Sequence, residues 1–260
     1  MTTQFKVSKS LFSATACFVL VLLQACASGP NANPSDPLEP LNRSVFRFND
    51  GVDRAVLIPV ATAYRDVTPP IVRTGVNNFF GNLTDVWSLV NNVLQFKPKE
   101  SIETMFRVGV NTTIGLGGLI DVATEMQIEK HTEDFGRTLG YWGVGSGPYV
   151  VLPILGPSTL RDSVAKIVDI NGDLVSGIEV NSTRNALIVL RGVDTRSKYL
   201  GAAELLDQAA LDKYTFTRDF YLKRRSSQIV PDAAEAEERY DLPEVTPESK
   251  TPSATKPSPQ

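Results

Sequence analysis

A chain of 260 residues is long enough for one large domain or two small ones. Hydrophobic residues make up 42% and charged residues 21%, the proportions of a folded chain, which exclude a wholly disordered protein. The net charge of -3 comes without a basic block, which argues against nucleic acid as a partner.

The first expected element is a secretory signal. Lys6 and Lys9 precede the apolar run 16-ACFVLVLLQA-25. Basic segment, short apolar segment and small residue at the cut come in the order of a signal peptide. The apolar run is short for a membrane span. It ends in 23-LQAC-26, which resembles a bacterial lipobox, with Gln24 where a small residue is usual. Residues 1–25 are therefore expected to leave, and Cys26 to carry the lipid. Cys17 leaves with them, so disulfides hold nothing and the core must. Several acyl chains make a stable anchor where one binds only marginally. Ala27 and Ser28 follow, with no Asp to retain the chain in the inner membrane, so the outer membrane is the expected address.

Residues 26–36 read as a lipidated tether, small, polar and broken by proline. A folded domain is expected over 37–230. Its helical period is plain. Leu41, Val45, Phe48, Val52 and Val56 recur at three and four, as one face of an amphipathic helix does. Val86, Leu89, Val90, Val93 and Leu94 repeat this, and so do Ile102, Met105, Phe106, Gly109, Val110 and Ile114 after Pro98. Ser158 is the expected N-cap of a helix carrying Leu160, Val164, Ile167 and Val168. One long helix is expected from about Thr195 to Gln228, ending in Lys223, Arg224 and Arg225 at the negative end of its dipole. Two-residue alternation and hairpin signals are not seen. The expected class is all-α. Residues 231–260 form a proline-rich tail that is expected to be disordered.

Catalytic motifs are scarce. His131 is the single histidine, and EKHTED reads as surface near a helix start. In 143-GVGSGPY-149 the residue two before Ser146 is Val144, so the G-x-S-x-G elbow of a hydrolase is not met. One histidine and no free thiol supply a metal site poorly, and neither a metal nor another cofactor is expected. The run 115-GLGGLIDVA-123 fails as a phosphate loop because Ile120 stands where its last glycine belongs.

The stretch from Thr138 to Leu160 is uncharged yet broken by Gly140, Gly143, Gly145, Gly147 and Gly156. In hydrocarbon, irregular backbone is tolerated only where protein covers it or where it lines a cavity. Glycine also permits hinge motion, and Tyr141, Trp142 and Tyr149 suit the boundary between lipid tails and water. One reading makes 114–123 and 138–160 the wall or gate of a passage between helices lying against one leaflet. The gate residues would be Gly115, Gly117, Gly118, Tyr141, Trp142, Gly143, Gly145, Gly147 and Tyr149. The alternative is an aqueous globular core with buried glycine turns.

The segments 36-DPLEPLNRSVFRFN-49, 76-VNNFFGNLTD-85, 115-GLGGLIDVA-123 and 134-DFGRTLGYWGVGSGPYVVLPILGPSTLRD-162 resemble the MlaA/VacJ lipoproteins of Gram-negative outer membranes, in that family's order. The resemblance covers roughly residues 36–225. It implies a ring of amphipathic helices in the inner leaflet around a central channel. Such proteins remove phospholipids misplaced in the outer leaflet and pass them to a soluble periplasmic lipid-binding shuttle protein, beside a trimeric outer-membrane porin. No bond is made or broken, so no enzyme is implied. By the same resemblance Phe46, Phe48 and Asn49 hold the ring at its depth, the alternative for the two phenylalanines being plain core. A structural tether or porin scaffold and a His131-dependent lipid hydrolase are the rival readings.

Overall fold

The computed structural model describes residues 36–229. The signal peptide, Cys26, most of the tether and the proline-rich tail lie outside them. Helix α1 (Glu39–Val52) continues through a π-helical turn (Asp53–Leu57) into α2 (Ile58–Val67). The long α3 (Pro70–Leu94) packs on α4 (Pro98–Thr113), and the short α5 (Val122–Glu125) and α6 (Phe135–Tyr141) follow. Pro40, Pro59, Pro70 and Pro98 sit at the first or second helical position, where a missing N–H costs nothing. Asp121, Asp134 and Thr159 each accept the N–H of the third residue on, and such caps stabilise a helix by ~1 kcal/mol.

A hairpin departs from the expected elements. Strand β1 (Tyr149–Leu152) pairs antiparallel with β2 (Gly156–Thr159), Tyr149 opposite Thr159. Its turn needs Ile154 at φ 65° and Gly156 at φ 80°, and only the glycine signals that conformation in the sequence. Ser158 therefore lies in β2, and Thr159 caps the next helix, α7 (Leu160–Gly172).

The expected long helix over 195–228 is broken twice. Helix α8 (Asn181–Lys198) ends at Tyr199, α9 (Leu200–Ala209) follows, and α10 (Lys213–Ile229) is separate. Ala210 is extended, and Asp212 starts α10 by accepting the Tyr214 N–H at 3.1 Å and the Thr215 hydroxyl at 2.7 Å. The rest of the class holds: the described chain is mostly helical, with two short strands.

The helical periods are as read, and the buried face is the polar one. On α3, Asn82, Asp85, Ser88, Asn91 and Asn92 are buried, while Val90 and Val93 are exposed. On α4, Thr104, Arg107 and Asn111 are buried while Ile102, Met105 and Phe106 face outward. On α7 the same holds for Arg161 and Asp162 against Leu160, Val164 and Ile167. Among the described residues 20 buried side chains are polar or charged and 8 are hydrophobic. That ratio inverts the burial preference of a protein in water. An apolar exterior of this extent marks an interaction surface, for protein or for membrane. Among the described residues no helix is long and apolar enough to cross a membrane.

Candidate functional site

Most of the buried polar groups bond one another, as burial demands, while both Asp85 oxygens and Arg107 Nε are buried without a hydrogen-bond partner among the described residues. Arg107, with its side chain 1% exposed, donates to both oxygens of Asp121 at 3.0 Å and to Ile128 O at 2.5 Å. Burial alone would raise the Asp121 carboxyl, but donors from Thr124 and Asn111, with the Arg107 charge, pull it down to about 2. Asp85 lies 3.8 Å from Arg107 and 3.2 Å from Lys130, yet its burial wins and pushes its carboxyl up. A second network joins three elements. Arg225 of α10 donates to both oxygens of Asp134 at 2.6 and 2.7 Å, and to Asp162 of α7 at 2.8 Å.

Helix α1 grips the hairpin with two asparagines. The Asn42 side chain donates to Tyr149 O at 3.0 Å and accepts the Val151 N–H at 2.9 Å. Asn49 donates to Leu152 O at 2.9 Å and accepts the Ile154 N–H at 2.8 Å. Each amide thus stands in for a neighbouring strand. The spacing matches: seven residues of helix rise about 10.5 Å, and the three residues from Val150 to Pro153 span about 10 Å as a strand. Where α1, β1 and α10 meet, Tyr149, Val151 and Tyr214 form a small apolar core with Phe46 against its edge.

Beside that core lies a cavity of about 670 Å³. Phe46, Asn49, Asp50 and Val52 of α1 and Asp53 and Leu57 of the π-helical turn form one wall. The hairpin tip with Ile154 and Leu155 forms another, and Arg196, Tyr199, Lys213, Thr217 and Arg224 close the ring of side chains. The lining is amphipathic: hydrocarbon side chains alternate with five charged ones. Arg196 holds both oxygens of Asp53 at 2.7 Å, and Lys213 pairs with Asp50 at 2.8 Å and Asp207 at 2.7 Å. The π turn has a visible use here, since such bulges re-aim side chains at functional sites.

The expected gate residues do not gather at this cavity. Gly115 and Gly118 form a tight turn on α3 and α4. A Cβ on Gly115 would strike Ile120 O and Asn111 O, and one on Gly118 would lie 2.7 Å from the Asn82 side chain. Gly117 lies in the same turn. Gly143 and Gly145 line a separate cavity of about 320 Å³ with Arg161, Leu222 and Arg225, and Gly147 leads into the hairpin. Tyr141 and Trp142 are half exposed, Trp142 donating to Leu94 O at 3.2 Å. Tyr149 does not reach a lipid boundary: it is 1% exposed at the centre of the core, where burial and Asp36 push its hydroxyl up to about 12. Phe46 and Asn49 do reach the cavity, while Phe48 points outward, 55% exposed.

Sequence reading missed Asp53, Arg196, Lys213 and Thr217, and gave Arg224 only a place at a helix end and Asp50 only a place beside Asn49. A signal existed in Lys213, Thr217 and Arg224, which are spaced four and seven apart on one helix face. His131 is less exposed than expected. Its Nε2 lies 2.5 Å from Glu103 Oε2, and with Glu129 these ligand atoms fall within 4.8 Å of one another.

Fold and site define a helical protein with a polar interior, an apolar exterior and an amphipathic cavity. The chain matches the model of the MlaA lipoprotein over residues 34–228 and belongs to that family. It is 37% identical over 223 residues to the intermembrane phospholipid transport system lipoprotein MlaA of Escherichia coli K12, across 83% of this chain and 87% of that one. Its Haemophilus influenzae counterpart is 34% identical over 217 residues, 80% of this chain and 86% of the relative. A solved structure described as "Structural basis for maintenance of bacterial outer membrane lipid asymmetry" superposes with a TM-score of 0.67 at 37% identity, covering 75% of this chain and 99% of its own.

Proposed function

We propose that this chain is an outer-membrane lipoprotein, anchored in the periplasmic leaflet by lipid on Cys26. It withdraws phospholipid misplaced in the outer leaflet and hands it to a soluble periplasmic carrier. The observation that carries this reading is the amphipathic cavity inside a shell whose exterior is apolar. Family membership and the names of the relatives support it. The helices lie in one leaflet as a ring, beside a trimeric porin, and the cavity is the channel.

The physics of the step is a matter of matching surroundings. Moving a phospholipid head through hydrocarbon exposes bare charge at high cost. Asp50, Asp53, Arg196, Lys213 and Arg224 keep the head solvated by fixed polar groups. Phe46, Leu57, Ile154 and Leu155 give the tails an apolar wall in the same space. No bond changes, so the residues act as binding and positioning groups.

The test is phospholipid exposed on intact cells, read with an impermeant head-group label. Deleting the gene is expected to raise it, and Cys26→Ala is expected to leave it raised because the ring is no longer anchored. Unchanged exposure on deletion, in a strain without a second copy, sinks the transport reading. Full correction by Cys26→Ala removes the need for an anchor.

A further inference from the structure

Resting on that reading, we infer that Arg224 is the phosphate anchor of the passage and that Phe216 and Phe220 bed an acyl chain beside it. Two adjoining spaces carry the inference. A groove of about 840 Å³ runs along α10 and is lined by Leu211, Asp212, Phe216, Asp219, Phe220 and Lys223 among others. Arg224 lines both this groove and the 670 Å³ cavity. Phe216, Phe220 and Arg224 recur every four residues and so form one row on the helix. The two rings stand 6.3 Å apart and nearly parallel, 52% and 59% exposed, making an apolar shelf that ends at a guanidinium.

The charges in these spaces are paired with two exceptions. Arg196 and Lys213 are held by Asp53, Asp50 and Asp207. Asp212 is held by Arg43 at 2.7 Å, and Asp219 by Arg218 at 2.8 Å. Lys223 and Arg224 have no carboxylate partner among the described residues. Two unopposed cations beside an apolar shelf complement a glycerophospholipid, with one anionic phosphate diester and two hydrocarbon chains. Arginine suits the phosphate best, because its planar fork offers two parallel donors to two oxygens. Lys223 adds a point charge at the groove side. The lipid therefore sits with its phosphate at the border of the two spaces, its head toward Lys213 and Asp50 and one chain along Phe220 and Phe216.

The experiment uses the full chain purified in detergent and two spin-labelled lipids. One is phosphatidylethanolamine, and the other is diacylglycerol, which has the chains and no phosphate. Arg224→Gln is expected to weaken retention of phosphatidylethanolamine roughly tenfold, the scale of one charge-assisted hydrogen bond, and to leave diacylglycerol unchanged. Arg224→Lys keeps the charge but loses the fork, and is expected to fall between wild type and Arg224→Gln for phosphatidylethanolamine. Phe216→Ala with Phe220→Ala is expected to weaken both lipids. Wild-type retention by Arg224→Gln, or equal loss of both lipids, overturns the anchor. Thr217→Trp, which narrows the cavity elsewhere, separates the two levels. If it weakens binding while Arg224→Gln does not, only the anchor falls. If neither weakens binding, the cavity reading falls with it.

Discussion

Arg225→Met is expected to destabilise the protein by about 3–5 kcal/mol, the cost of removing one partner from a buried ion pair. Arg225 ties α10 to α6 and α7 by holding Asp134 and Asp162 together. Burial alone would raise both carboxyls; Arg225, helped by Arg137 at Asp134 and by Arg161 at Asp162, more than reverses it, so both titrate below the ordinary carboxylate range. The sign of the pH effect follows. A depressed folded value contributes stability that is complete above the unfolded carboxylate pKa of about 4 and is lost as pH falls through the folded values. Without Arg225 the two acids lose their shared cation, Asp162 keeping Arg161 and Asp134 only the Arg137 N–H, and protonation relieves what is left unpaired. The gap between variant and wild type is therefore widest near neutral pH and narrows below about pH 4. Thermal unfolding in detergent measures it, with a drop on the order of 10 °C at pH 7. A gap that is constant from pH 7 to pH 3 counts against this pairing.

Asn42→Ala is expected to cost about 2–6 kcal/mol, because it orphans the buried Tyr149 carbonyl and Val151 N–H at about 1–3 kcal/mol each. The side chain is fully buried and also donates to Asp36 at 2.8 Å. Asn42→Asp is expected to fare no better: it keeps an acceptor for Val151 but sets a carboxylate against Tyr149 O and Asp36. Protease sensitivity of the 149–159 hairpin is the direct readout, since Asn42 and Asn49 carry the hydrogen bonds that dock the hairpin on α1. A variant as resistant as wild type would show that the hairpin does not depend on Asn42.

The same asparagines show how far the sequence could be read. Their side of α1 looks like an ordinary polar face in 41-LNRSVFRFN-49, and nothing local says that it mimics a strand. The hairpin went unseen for the matching reason. Tyr149–Leu152 does not alternate, and its turn places Ile154 in a conformation that no local signal marks. Helices α3 and α4 were legible because a period of 3.6 over many residues is a strong signal. Which face turns inward was not, because a period marks two faces and assigns neither. Asn82, Asp85 and Ser88 are the inside because they meet polar partners on α4 and the 121–133 segment, which is a tertiary fact. The breaks at Tyr199 and Ala210 lack proline or a glycine at the break itself, and Asp212 before Lys213 was the readable cap. The cavity draws on α1, the π turn, the hairpin, α8 and α10, and no spacing within one segment predicts that meeting. The glycine runs were legible as turns, while their distance from the cavity is a tertiary fact.

The central claim is that phospholipid passes through the 670 Å³ cavity. It is tested most directly by Thr217→Trp, which fills that space from α10 without replacing a charged residue. The measurement is phospholipid exposed on intact cells that carry the variant at wild-type abundance in the membrane. The account predicts exposure as high as in cells lacking the gene. Exposure held at the wild-type level would contradict it and place the lipid path elsewhere in the molecule.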